Sequence, residues 1–216
     1  MKLPHPKLLV LSAPSGTGKS TIIQALLEIF PEGLLQSVSY TTRAPRPGEV
    51  DGIHYHFVDQ ESFVERIHQG DFLEWAEVHG NYYGTSQSQT RSYLDQGKAV
   101  ILDIDVQGAL QLMEKDLDAD FIFLSPPDLQ ELEKRLRGRR TETEEAIQIR
   151  LANAKREMET RHRYPHQLVN EDLDQAILDF ALLILTLCSP HELKLDPKAS
   201  PKANLAALKK KLESLF

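Results

Sequence analysis

The run Ala13-Pro14-Ser15-Gly16-Thr17-Gly18-Lys19-Ser20-Thr21 limits what this chain can fold into more than any other segment. It follows an apolar run, Leu8–Leu11, that reads as a buried strand, and it opens a periodic stretch, Lys19–Ile29, that reads as a helix. Glycines let the backbone curl so that its N–H groups turn inward, and the next helix adds its unpaired donors and the positive end of its dipole. The result is a cradle for phosphates. Lys19 reaches the outer phosphates as a point charge, and the Ser20 hydroxyl is suited to ligate Mg²⁺. The pattern usually begins with glycine; here that position is Ala13, whose methyl group is tolerable where φ stays negative. The alternative is a chance match in a turn, which the strand before and the helix after argue against. The motif identifies a nucleoside-triphosphate-binding class and no acceptor.

Three more short apolar runs, Ala99–Leu102, Phe121–Leu124 and Gln167–Val169, read as buried strands. Helical patterns cover Val106–Glu114, Leu129–Arg137, Thr143–Thr160, Leu173–Leu187 and Asn204–Leu215. Thr141 and Glu144 stand at capping-box spacing before the third of these, which carries the stripe Ile147, Leu151, Ala154, Met158. Near-continuous apolar strands alternating with helices predict an α/β fold, a three-layer sandwich of the P-loop NTPase type with a parallel core sheet. The stretch 36–98 differs: alternating or aromatic runs (Ser37–Thr41, Ile53–Phe57, Phe72–His79) surround one amphipathic helix near Glu61–His68, closed by Gly70. It is expected to be a mixed α+β insert. Core is expected at 1–35 and 99–190, with a connector and C-terminal helix at 191–216.

A net charge of −7 argues against broad, non-specific nucleic-acid binding. Basic residues gather instead at Arg43 with Arg46, and at Arg135, Arg137, Arg139 and Arg140, where the plain alternative is a solvated surface. No run approaches the ~20 apolar residues of a membrane-spanning helix, and the N-terminal stretch lacks the form of a secretory signal. A single cysteine, Cys188, makes no internal disulfide and points to a reducing, cytoplasmic setting; a buried apolar role is expected for it. His54-x-His56 puts two rings on one strand face without further metal-type ligands, so packing or surface roles are expected.

Behind the phosphate loop come Ser37-Val38-Ser39-Tyr40-Thr41-Thr42-Arg43-Ala44-Pro45-Arg46-Pro47-Gly48-Glu49, Tyr55, Phe72-Leu73-Glu74-Trp75-Ala76, Gly80-Asn81-Tyr82-Tyr83-Gly84-Thr85, and Ile101-Leu102-Asp103-Ile104-Asp105-Val106-Gln107-Gly108. In this order they resemble guanylate kinase, from about Leu8 to about Asp174. The resemblance implies ATP and GMP as substrates, Mg²⁺ as cofactor, and a GMP-binding insert at 36–98. By matching position, the GMP contacts are Ser39, Arg43, Arg46, Tyr55, Glu74, Tyr83, Thr85, Asp103, Asp105 and Gly108. The chemistry of the residues agrees. Arg43 and Arg46 suit a dianionic phosphate as planar forks, with hydroxyls of Tyr55 and Tyr83 as further donors. Guanine offers N–H donors at N1 and N2, which the Glu74 carboxylate, and Asp105, can accept. Adenine would meet Glu74 lone pair against lone pair, a mismatch that can reach about 10⁴-fold in selectivity. Hydroxyls of Ser39 and Thr85 can donate to guanine O6. Against this stand plain readings: Glu74 on an alternating strand as a solvent-facing residue, Arg43 and Arg46 as a surface loop, Asp103 and Asp105 as helix caps. Asp103, at a strand's C-terminal end beside a phosphate loop, is expected to hold metal-bound water.

Residues from about 135 to 160 resemble the family's lid, with Arg140 where a second glycine is usual. Arg135, Arg139 and Arg150 match positions that neutralise the transferring phosphoryl group, and Asn170 matches one near the adenine side. Lys19, Arg43, Asp103 and these arginines form the expected catalytic set. Phosphoryl transfer needs positioning and charge neutralisation more than covalent help, so no phosphoenzyme is expected. Two alternatives stay open: a guanylate-kinase-like protein-interaction module without catalysis, and a related kinase for another phosphorylated acceptor. A monomer and a homodimer are both compatible with the sequence.

Overall fold

The computed structural model describes residues 3–78, 80–115, 117–138, 143–189, 195–196 and 198–214. Its centre is a five-stranded sheet built from β1 (Leu8–Ser12), β2 (Leu34–Gln36), β7 (Ala99–Asp103), β8 (Ala119–Ser125) and β9 (His166–Val169), in the order β2-β7-β1-β8-β9. Every pairing in it is parallel. β1 occupies the middle and is buried along its whole length, as its unbroken apolar sequence requires. Its alternate residues feed two cores. Leu9 and Leu11 pack with α1 (Lys19–Ile29), α7 (Leu173–Cys188) and, through Leu208 and Leu212, α8 (Pro201–Ser214). Leu8 and Val10 pack with Val106, Ala109 and Leu112 of α4 (Val106–Met113), joined by Tyr93 and Leu94 of α3 (Gln87–Asp95) and by Tyr164. Cys188 is fully buried in the first core, and burial pushes its thiol up to about 11.

A second, four-stranded sheet has the order β4-β3-β6-β5, from β3 (Tyr40–Thr41), β4 (His56–Phe57), β5 (Phe72–Val78) and β6 (Asn81–Ser86). It is mixed, with β3 parallel to β4 and antiparallel to β6. α2 (Gln60–His68), capped by Asp59 accepting from Ser62 N, covers it by inserting Phe63. Phe63 stacks on Phe72 at 4.4 Å and on Tyr82 at 5.4 Å between ring centres. Gly70 ends the helix in the left-handed region.

The segment expected to form a lid lies in α5 (Leu129–Gly138) and α6 (Glu144–Glu159), joined through Leu132, Leu136, Ile147 and Ala154. The expected capping box is corrected: Thr143, not Thr141, caps α6, accepting from Ala146 N. Thr143 has two acids, Glu144 and Glu145, directly behind it in the first turn, where the helix dipole favours them. Thr141 itself lies outside the described residues. Across the gap Arg137 donates to both Glu133 and Glu144, a clasp that holds the Glu144 carboxyl down at about 2.

Candidate active site

A cleft of about 460 Å³ separates the phosphate loop from the four-stranded sheet. Its loop wall consists of Ala13, Pro14, Ser15, Gly16, Gly18, Lys19, Ser20 and Thr21; its far wall includes Ser39, Tyr55, Glu74 and Tyr83; Asp103, Asp105 and Glu157 also border it.

The loop leaves β1 and turns at Gly16 and Gly18, whose φ values of 95° and 100° lie in the left-handed region that favours glycine. Close packing adds a second reason for both. A Cβ on Gly16 would meet Leu136 Cδ2 at 2.7 Å, and one on Gly18 would meet Asn170 Nδ2 at 2.6 Å. Thr17 points away from the cleft, its hydroxyl donating to Pro14 O at 2.7 Å. Asn170 is buried, and its amide donates to Thr17 O at 2.7 Å, so it touches the back of the loop and does not border the cleft. From α6, Arg150 Nη1 donates to Ser15 Oγ at 2.9 Å. Lys19 Nζ sits 2.5 Å from Asp103 Oδ1 and donates to Ile104 O at 3.3 Å.

On the far wall β5 and β6 pair through a bulge: Phe72 faces Ser86 and Glu74 faces Thr85, leaving Leu73 as the extra residue. The bulge breaks the in–out alternation, so Phe72, Leu73 and Glu74 are all buried. Glu74 shares the cleft side of β5 with Ala76 and Val78, is 6% exposed, and accepts from Thr85 Oγ1 on its Oε1 at 2.6 Å. Burial pushes the Glu74 carboxyl up to about 7, the Thr85 hydrogen bond opposing it and the charge of Asp105 adding to it. Asp105 caps α4, accepting from Gly108 N at 2.8 Å. Thr85 and Gly108 stand behind Glu74 and do not themselves border the cleft.

Arg43 and Arg46 lie on the loop beyond β3. Arg43 Nη2 donates to Glu49 Oε1 at 2.8 Å, its Nη1 donates to Ala44 O at 2.8 Å, and its guanidinium lies 5.4 Å from the Tyr55 ring centre. Arg46 N donates to the other Glu49 oxygen at 2.7 Å. The hydrogen bond from Arg43 holds the Glu49 carboxyl down at about 2, and burial raises the Tyr55 hydroxyl above its ordinary value. His54 accepts from Val50 N, and His56 packs on the Tyr40 ring at 4.6 Å.

Residues 5–186 match the family model described as guanylate kinase. The chain belongs to the guanylate kinase family. It is 50% identical over 189 residues to "Guanylate kinase 1" of Oryza sativa subsp. japonica, a match covering 86% of this chain and 49% of that one. It is 49% identical over 179 residues to the guanylate kinase of Idiomarina loihiensis, covering 82% and 85%. The crystal structure of guanylate kinase from Anaplasma phagocytophilum superposes with a TM-score of 0.69 at 34% identity, covering 87% of this chain and 89% of that one. The fold expected from sequence, a parallel-strand α/β core of the P-loop NTPase type, is the guanylate kinase fold.

Two carboxylates that the structure places at or beside the candidate site are not read from the sequence as site residues. Glu49 sits in a quoted motif, yet only the folded loop brings its carboxylate onto Arg43 and Arg46 N. Glu157 lies on α6 seven residues after Arg150, two turns along the same face, and borders the cleft near Asp105 and Lys19. Arg135 pairs with Glu131 within α5, at 3.2 Å. Arg139 and Arg140 lie outside the described residues. Among the described residues no helix is long and apolar enough to cross a membrane.

Proposed function

We propose that this chain transfers the γ-phosphoryl group of ATP to GMP, and to dGMP, giving ADP and GDP. One observation carries the reading: the buried carboxylate of Glu74 faces the same cleft as Lys19 of the phosphate loop. Guanine's N1–H and N2–H donate to Glu74, and the acceptor phosphate lies toward Arg43, Arg46, Tyr55 and Tyr83. The loop 13–21 takes the ATP phosphates on its backbone N–H groups, and Lys19 leaves Asp103 for them. Ser20 and Asp103 border the cleft together, a hydroxyl and a carboxylate of the hard-oxygen kind that suits Mg²⁺, which when bound offsets charge on the transferring group.

Transfer is direct and in line, with an oxygen of the GMP phosphate attacking γ-phosphorus. Arg150 and Arg135 neutralise the equatorial oxygens from the lid, with Arg139 as their partner by matching position. The Arg150–Ser15 contact brings the lid against the loop, which favours exclusion of water from the γ-phosphate. The test is ADP production from ATP with GMP, dGMP, AMP and UMP in turn, with and without Mg²⁺. Magnesium-dependent turnover with GMP and dGMP, and little with AMP or UMP, is expected. Absence of GMP phosphorylation with magnesium present rules the reading out.

A further inference from the structure

Glu74 stands in a space bounded on two sides. Its Oε1 is taken by the Thr85 hydroxyl at 2.6 Å. Its Oε2 lies against the backbone of Gly108, where an added Cβ would be 2.8 Å from that oxygen, 3.2 Å from Glu74 Cδ and 3.5 Å from Asp105 Oδ1. Gly108 is fixed in place: its N–H donates to Asp105 Oδ1 at 2.8 Å, and its helix is anchored by Val106, Ala109 and Leu112, all buried. Of the two groups, only the carboxylate at the end of a flexible side chain is free to yield.

We propose that Gly108 is a positioning residue for acceptor selection: its missing side chain leaves the room in which the Glu74 carboxylate is held, and a methyl group there moves that carboxylate off the line guanine's two N–H groups require. This rests on the acceptor reading above and changes the part given to Gly108, from a contact of the nucleotide to the residue that sets where the contact is made.

The experiment compares Gly108→Ala, Glu74→Asp and the double variant, with GMP and ATP varied separately. Alanine is the better helix former, and the clash falls on a flexible end, so Gly108→Ala is expected to keep the wild-type Tm. Its kcat/KM for GMP is expected to fall on the order of 100-fold while KM for ATP stays within about twofold, because the lost interaction reads only the acceptor. Aspartate draws the carboxylate back by one carbon–carbon bond, about 1.5 Å. The double variant is therefore expected to be about tenfold better with GMP than Gly108→Ala, although Glu74→Asp alone is impaired; this non-additivity is what coupled neighbours show.

Three results overturn the proposal: wild-type GMP kinetics in Gly108→Ala, a lowered Tm for it, or losses in the double variant that multiply those of the single ones. Wild-type protein that leaves GMP unphosphorylated removes the acceptor reading as well. A wild-type protein active on GMP with an unimpaired Gly108→Ala removes this inference alone.

Discussion

The loop at residues 13–21 is made of backbone and hangs from the most buried strand of the molecule, whereas the opposite wall is made of side chains carried on a small sheet filled by Phe63, Phe72 and Tyr82. Backbone N–H groups need only the right curvature, which Gly16 and Gly18 supply and which Leu136 and Asn170 enforce from behind. A carboxylate that reads a base must be held in direction and in charge. Glu74 faces the cleft beside Ala76 and Val78 and is held by a threonine, and burial raises its carboxyl well above the usual range while the threonine opposes the rise. In the proposed reading the phosphate side is general and the base side specific, its carboxyl raised by burial.

The largest expected effect lies on the loop. Lys19→Ala is expected to lower kcat on the order of 10³-fold or more with every acceptor, because the lost charge acts on the transferring group itself. Rapid-quench measurement of γ-phosphoryl transfer checks it, and near-normal transfer would erase the distinction between the two walls. Glu74→Ala should break only the other side. A fall on the order of 100-fold in kcat/KM for GMP, with KM for ATP unchanged within about twofold, is expected from steady-state assays. Equal damage to both substrates would mean that the walls are not separable.

Asn170→Ala sharpens the comparison, since it removes support for the loop without touching the cleft. Loss of its hydrogen bond leaves Thr17 O buried without that partner, for about 1–3 kcal/mol of stability, read as a lower denaturant midpoint, and KM for ATP is expected to rise several-fold. The smallest effect concerns pH. The Glu74 carboxyl sits at about 7 in the fold against 4.5 unperturbed, so between these values the folded state holds the extra proton. Stability from this group is complete below about 4.5 and is lost as pH rises through about 7. Glu74→Gln is therefore expected to be more stable than wild type at pH 8 and no more stable at pH 4. Urea titrations at the two pH values test this. Guanosine, which has no phosphate to titrate, should bind wild type more tightly above about pH 7 than below it; flat binding would show that Glu74 stays ionised throughout.

Much of the core was legible because its strands are nearly continuous apolar runs: Leu8–Leu11, Ala99–Leu102 and Phe121–Leu124 all fall inside observed strands. Elements whose own sequence carries little signal went unread. β2 has only the three residues Leu34–Gln36 and exists by pairing with β7. β6, with Asn81 and Gly84 in it, is held by β5 and β3 on either side, not by propensity. α3 is mostly polar; its start is set by Ser86 accepting from Gln89 N, and it is kept by Tyr93 and Leu94 against the second core.

The sequence by itself determined the phosphate loop, since its glycine and lysine spacing acts locally and carries its own backbone geometry. It also carried the acceptor motifs, and with them the resemblance that the family match and the superposition then bore out. Only the tertiary structure decided what Glu74 faces. Alternation puts it on one side of β5 with Ala76 and Val78, and the packing of α4 on β5 and the phosphate loop opposite make that side a cleft wall and not a solvent face. It likewise decided that Asn170 stands behind the loop, that Glu49 joins Arg43 to Arg46 N, and that Gly108 leaves room for a carboxylate thirty-four positions earlier. Apart from the Glu49 contacts, which a local turn makes, these join distant segments, and periodicity, which reports only on neighbours along the chain, has no means of recording them.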